Sequence, residues 1–467
     1  MFRRLDALIF VICASGLAFA YGVITAEYRV FPYQIVREIK RGLTSWNKLE
    51  PDELPVHMGP EVEDLDLIAN SVILADGAGS EYLLIASGFY QNLDICPKFG
   101  CLARIIDRKG RIVRTWSADP ADFVDGIDGL EGSVNDLNIY AVGMSMDTEG
   151  NLIVIFQGRN TFPYEVGVAS FDKNGKLLWK HNDNTHHWPT VAPNCDILLP
   201  AVRMISGDEY EQGSGVGSQC EDVVQSQGVR ILGPDGSQKT VFWFDDVIAK
   251  GDRPGMLYSV LDPCNPHHVN GIAVVAEAGT RFLQGAKTLD LAVSLRESSS
   301  IAIIDRRSGE LLEMVSHYTA AQHSPNFIHD GTLIAFDNLG GQDATGGSRI
   351  VGIKASLRKS HTIFPPAGYS ARLLPFKSGE AGVTAVSQDG SRILISESRG
   401  HRIIEVDANS GKPLWAMENI VNMKPFLETK GRPFKTGYYH FTAQGAYYIP
   451  DGHPILKGLS GGAGEAN

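Results

Sequence analysis

The chain has 467 residues, 43% of them hydrophobic, so it can bury a large core. Its 42 Lys+Arg stand against 54 Asp+Glu, a formal charge of −12 with no long run of either sign. That balance excludes a nucleic-acid partner, because neutralising phosphates requires a basic face.

At the amino terminus, Met-Phe-Arg-Arg precedes an apolar run from Ala7 to Ile24. This is a basic flank followed by a stretch about the length of a membrane span, roughly 20 residues. Residues 1–27 therefore read as a transmembrane anchor helix, with Arg3 and Arg4 left inside and the remainder exported. Ala18-Phe19-Ala20 is also a small-x-small cleavage site, so a signal peptide is the competing reading. Both export the chain, and the retained anchor places it at the inner membrane of a cell envelope, facing the periplasm or exterior. Six cysteines fit an exported protein. Cys96 and Cys101 enclose a short loop that a disulfide could close, while the pairing of Cys195, Cys220 and Cys264 stays open. Residues 28–62 read as a juxtamembrane linker with one short helix near Val36 to Lys40.

From there on, nearly every apolar run is short and ends at a turn. Length alone suggests about three domains, but the runs repeat in groups of four, which favours one large domain over residues 63–455. Copies begin near Tyr82, Ala141, His187, His268, His323 and Val383. Turns such as Asp147-Thr148-Glu149-Gly150 and Asp172-Lys173-Asn174-Gly175 separate their strands. Four short strands per unit, repeated six times, predict an all-β chain folded as a six-bladed β-propeller. The connections are too short for the helices of a parallel α/β fold. Ser206 to Gln227 and Glu277 to Asp290 are extra segments read as loops or lids, Trp179 and Trp415 as core, and Tyr438 to Tyr448 as a closing strand. Residues 456–467 read as a disordered tail.

Candidate chemistry sits where copies begin. His187 stands eight residues before the turn position Cys195, His323 stands eight before Gly331, and His268 opens its copy in the same way. The first strand of a propeller blade lines the central channel, so the three imidazoles are expected to converge at its mouth. His268 and Asn270 are two apart and share a strand face. Arg296 ends the next strand and returns to the channel, unless it pairs with Glu297 or Asp305 instead. Imidazole, amide and guanidinium without a carboxylate suit an anion such as sulfate or phosphate. His186 and His267 are expected on the opposite face, as packing residues or as supports behind the site's own side chains, and His181, His329 and His361 at the surface.

Gln322-His323-Ser324 before Asp330-Gly331-Thr332-Leu333 and Phe336-Asp337-Asn338, the His268-x-Asn270 strand with Ser294-x-Arg296 after it, and the His-His pair at His186 together resemble the bacterial arylsulfate sulfotransferases. The similarity runs from about Ala141 to Trp415. It implies transfer of a sulfuryl group from a phenolic sulfate ester to a phenolic or other hydroxyl acceptor, in the periplasm, through a sulfated histidine and with no cofactor or metal. Carried over, His323 is the nucleophile, His268 and Arg296 assist catalysis, and His187, Asn270 and Arg296 hold the sulfate oxygens. The chain departs from the family at Trp188-Pro189, where an acidic residue is common, and in the longer stretch between His268 and Arg296. Two alternatives stand beside this reading. One is a metal-dependent propeller lyase or hydrolase acting on polysaccharide, against which a cationic Arg296 beside the metal would count. The other is a non-catalytic envelope binding propeller.

Overall fold

The computed structural model describes residues 2–28, 54–55, 57–74, 76–86, 96, 101–117, 119, 122, 139–158, 165–220, 223–251, 253, 255–341, 347–369 and 373–457. The amino-terminal part forms one unit, and the residues from Leu54 onward form a second, compact one. The first is the helix Phe2–Tyr28, whose described side chains are residues 10 and 12–24, with Phe10, Leu17 and Phe19 exposed. Among the described residues no helix is long and apolar enough to cross a membrane. The short helix expected near Val36 to Lys40 and most of the expected tail lie outside the described residues.

The compact unit is built from antiparallel sheets of four strands. The second sheet comprises Ile139–Met146, Leu152–Gly158, Glu165–Phe171 and Leu177–His181; the third, Thr190–Val191, Ile197–Ile205, Val224–Leu232 and Gln238–Trp243. Val269–Val274, Leu291–Leu295, Ser300–Ile304 and Leu311–Ser316 form the fourth, and His323–Phe327, Leu333–Asp337, Arg349–Lys354 and Lys359–Phe364 the fifth. The sixth runs through Val383–Val386, Arg392–Glu397, Arg402–Asp407 and Pro413–Glu418, with Val72–Leu74 added at its outer edge. The first sheet joins the two ends of the unit: its inner strand is Gly445–Ile449, paired to Tyr82–Ala86, which leads to Ala103–Ile106 and Ile112–Trp116. The inner strands touch in sequence and return to Gly445–Ile449, which makes the unit a β-propeller.

Aspartates fix the hairpins. Asp147 Oδ1 accepts from the backbone N–H of Glu149 at 2.9 Å and of Asn151 at 2.8 Å, and Gly150 supplies the left-handed residue the turn requires. Between sheets, fully buried Val, Ile, Leu and Phe from facing strands interdigitate, as with Val154, Phe156 and Ala169 of the second sheet against Leu84 and Trp116 of the first. A charged network closes the seam between first and sixth sheets. Arg108 and Arg392 each bond both Glu81 and Glu405, and the Tyr448 hydroxyl donates to Glu405 Oε1 at 3.0 Å.

Four expectations are corrected. The linker assigned to 28–62 gives up Met58–Glu61, which pairs with Tyr438–Phe441 in a separate three-stranded sheet capped by the helix Lys424–Thr429. The closing strand is therefore Gly445–Ile449 rather than the whole of Tyr438 to Tyr448. The segment after Ser206 is not all loop: Ser206 accepts from Glu209 N–H as an N-cap of the helix Gly207–Ser214, and the strand resumes at Val224. Trp415 is core, but Trp179 is only half-buried, on an outermost strand, where its indole N–H donates to Pro234 O.

Candidate active site

The three histidines open the inner strands of three consecutive sheets, and the packing of those strands brings them together. The His187 and His268 ring centroids are 5.0 Å apart, and those of His187 and His323 5.8 Å. His187 and His268 both adopt left-handed backbone, φ 59° and 46°, and Ser324 beside His323 does so at 48°. Such conformations cost non-glycine residues of order 1–3 kcal/mol and persist only where the surroundings enforce them. Small residues allow the approach. A Cβ on Gly143 would lie 2.0 Å from the His187 carbonyl oxygen, and one on Gly271 would lie 2.8 Å from Ser324 N. Gln322 ties the fifth sheet to the fourth: its Nε2 donates to Ser294 Oγ at 3.0 Å and Ser300 O at 2.9 Å, which seats the neighbouring His323.

Each histidine is held at Nδ1. Asn338 Nδ2 donates to the carbonyls of Ser378, at 2.7 Å, and Ala381, at 2.6 Å, so its Oδ1 must face His323 Nδ1, 2.6 Å away. His323 in its neutral form therefore carries its proton on Nδ1 and a lone pair on Nε2. On His268 the order is reversed. The backbone N–H of Val269 donates to Gln227 Oε1, Gln227 Nε2 donates to Asn265 Oδ1, and Asn265 Nδ2 donates to His268 Nδ1 at 2.7 Å. His187 shares a hydrogen bond, Nδ1 to Nδ1, with His186.

Burial governs protonation. His323 is pushed down to about 4, chiefly by burial, with hydrogen bonds to Asn338 and the Ala321 backbone pulling partly back. His187 and His268 are held well below the ordinary histidine value, first by burial and then by neighbouring histidines and Arg296. Burial brings His186 to about 3. All four imidazoles are neutral at pH 7.

The other expected residues fall close by in different roles. Arg296 is brought to the cluster and is partly exposed, and it also forms an ion pair with buried Glu297. Asn270 is fully buried, with Nδ2 donating to Gln322 O at 2.8 Å, so this donor braces the fourth sheet against the fifth. His268 and Asn270 do not share one regular strand face, because His268 turns left-handed before the strand begins at Val269. The same break overturns the opposite face expected for His186, which lies beside the cluster and supports it through His187, its ring 4.5 Å from His187 and 6.0 Å from His268. His267 packs against Tyr210 and Phe244, as expected. His329 and His361 are exposed, whereas His181 is half-buried and bonds the Gly236 carbonyl. Cys96 and Cys101 form a disulfide, and a second joins Cys220 to Cys264.

Trp188 floors the site. Its ring lies 5.3 Å from His187 and 6.1 Å from His323, and its indole N–H donates to Gln444 O at 2.6 Å. Beneath it the inner strands enclose a cavity of about 350 Å³, lined by Trp188, Thr190, Ile272, Asn326, Thr384 and Tyr447 among others. Among the described residues no group of three or more His, Cys, Asp or Glu side chains is arranged to hold a metal ion.

No family model and no curated protein matches the chain. Solved structures do. The chain is similar to a protein of unknown function from Bacteroides caccae, at 12% identity and TM-score 0.43, covering 80% of this chain and 100% of that one. A virginiamycin B lyase from Staphylococcus aureus matches at 10% identity and TM-score 0.37, covering 73% and 85%. The Cps50 (Swd1) β-propeller domain of Myceliophteria thermophila matches at 12% identity and TM-score 0.37, covering 68% and 80%. What the site can do is argued from its own geometry.

Asn338, Asn265, Gln227 and Trp188 received no role from the sequence. Asn338 follows the strand Leu333–Asp337, which pairs with the His323 strand, 15 positions from the ring it holds, and Gln227 lies 42 positions from the Val269 N–H it accepts. Only the doubling of His-His at 186 and 267, and the polar pair closing the strand at Asp337-Asn338, hinted that imidazoles here have partners.

Proposed function

We propose that this chain is a six-bladed propeller enzyme that moves a sulfuryl group from an aryl sulfate to a hydroxyl acceptor through a sulfated His323. The observation that carries the reading is the convergence of three neutral imidazoles and the Arg296 guanidinium at one mouth of the channel, with His323 oriented by Asn338. A neutral imidazole is a competent nucleophile, and an N-sulfated histidine divides one difficult displacement into two easier ones. His268, His187 and the part of the Arg296 fork not engaged by Glu297 would face the sulfuryl oxygens, where donors stabilise charge growing in the transition state. The Arg3-Arg4 flank and the apolar run after it in the sequence support an envelope location for the chain.

The test is the intact mass of the protein after brief exposure to 4-nitrophenyl sulfate, for the wild type and His323→Ala. A gain of one sulfuryl group in the wild type alone is the expected result. An unmodified wild type that releases no nitrophenol would overturn the reading in favour of a binding propeller. Equal gain in both proteins would move the nucleophile elsewhere.

A further inference from the structure

The two hydrogen-bond relays have a consequence for the donor, and it rests on the sulfuryl-transfer reading. Asn338 leaves His323 with its lone pair on Nε2, the form that attacks. The Val269, Gln227 and Asn265 relay leaves His268 with an accepting Nδ1 and its only proton on Nε2. In that form His268 can donate a hydrogen bond, but giving up the proton would make it an imidazolate, which is far too basic to form. A second proton on Nδ1 is opposed because Asn265 presents N–H there, donor against donor. His187 supplies no proton either: its Nδ1 shares one hydrogen bond with the neutral His186, so its Nε2 holds either its only proton, under the same limit, or a lone pair and no proton to give.

We propose that Asn265, Gln227 and Asn338 are positioning residues that set opposite tautomers on His268 and His323, so that the site has a nucleophile but no proton donor and accepts only sulfate esters of acidic hydroxyls. In the first step the His323 Nε2 lone pair forms the N–S bond. The S–O bond to the aryl group breaks, its electron pair leaves on oxygen, and the phenol departs as phenolate. His268 keeps its proton and hydrogen-bonds an oxygen of the transferring group. Sulfated His323 keeps its Nδ1 proton, whose bond to Asn338 now stabilises a cationic ring. The second step is the reverse, so the acceptor must arrive as a phenolate. Alkyl and sugar sulfates, whose alkoxides are poor leaving groups, are thereby excluded as donors.

The experiment uses the full chain and a series of aryl sulfates of graded phenol acidity, with one alkyl sulfate, reading both phenol release and protein sulfation. In the wild type the rate should fall about fivefold or more for each unit rise in phenol pKa, and the alkyl sulfate should leave the protein unmodified. Asn265→Asp places a carboxylate where it can accept from a protonated His268 Nδ1, turning that histidine into an acid. The dependence on phenol acidity should flatten in this variant, and its rate should fall as pH rises. A flat series in the wild type with sulfation intact would overturn the proposal, because a proton would then be reaching the leaving oxygen. Should the variant not fold, the wild-type series alone decides. If even the most acidic phenol is not released and His323 is not sulfated, the underlying transfer reading fails and takes this inference with it.

Discussion

Replacing Asn338 by alanine removes three buried interactions at once: the acceptor for His323 Nδ1 and the donors to the Ser378 and Ala381 carbonyls. Asn338 is 1% exposed, so water cannot simply take over these partners. A stranded buried polar group costs about 1–3 kcal/mol. The Ser378 carbonyl retains Ser348 Oγ and the Ala381 carbonyl retains Ser378 Oγ, each at 3.3 Å, which lowers the total. A loss of about 1–4 kcal/mol in unfolding free energy follows. The effect on transfer is separate. The bond from His323 to Asn338 becomes charge-assisted once the ring is sulfated, and such bonds contribute about 1.5–3 kcal/mol, or about 10- to 100-fold in rate. Asn338→Asp keeps an acceptor for Nδ1 while losing both donors, so it should resemble the alanine variant in stability but recover much of the rate. Urea denaturation and single-turnover sulfation by an aryl sulfate measure the two effects. A folded Asn338→Ala sulfated at the wild-type rate, or an aspartate variant no faster than the alanine one, would refute the assignment.

Acid should destabilise the fold before it protonates most of the carboxylates. His186 lies at about 3 and His267 and His323 at about 4, all depressed mainly by burial from an unfolded value near 6.5. The unfolded chain binds more protons across that window. Each imidazole thus contributes stability that is complete above about pH 6.5 and lost at about 1.4 kcal/mol per unit as pH falls toward its folded value. Buried Glu397, raised to about 7, opposes this trend. Melting temperatures should therefore drop from neutral pH down to about 4, and a protein that melts higher on acidification would contradict the burial of these rings. Cys264→Ser should also lower stability, by about 4 kcal/mol for a cross-link of 44 residues in the chain-entropy description. Because Cys264 adjoins Asn265, the same variant should slow sulfation in single-turnover assays; unchanged rates would show that Asn265 is held without it.

The strand repeat was legible because short apolar runs broken by Asp- and Gly-containing turns leave little freedom in architecture. His187, His268 and His323 were legible for the same reason, since position within a repeat is a statement about space. What the sequence could not reveal is how the imidazoles are held. Gln227 reaches His268 through a neighbouring sheet, and the left-handed turns at His187 and His268 break the strand alternation on which the placement of His186 and Asn270 relied. Sequence alternation tracks side-chain direction only while backbone stays extended, and at the mouth of the channel it does not.

The innermost strand of the first sheet comes from the far end of the unit, and the residue just before it, Gln444, holds Trp188 beneath the histidines. Ring closure and completion of the floor are therefore a single event. A nascent chain can assemble the second to fifth sheets early, yet it will display its imidazoles over an unsupported tryptophan until Gly445–Ile449 docks beside Tyr82–Ala86 and Tyr448 reaches Glu405. The histidine cluster thus gains its floor only when the ring closes, and contacts of such long sequence separation are the slowest to form.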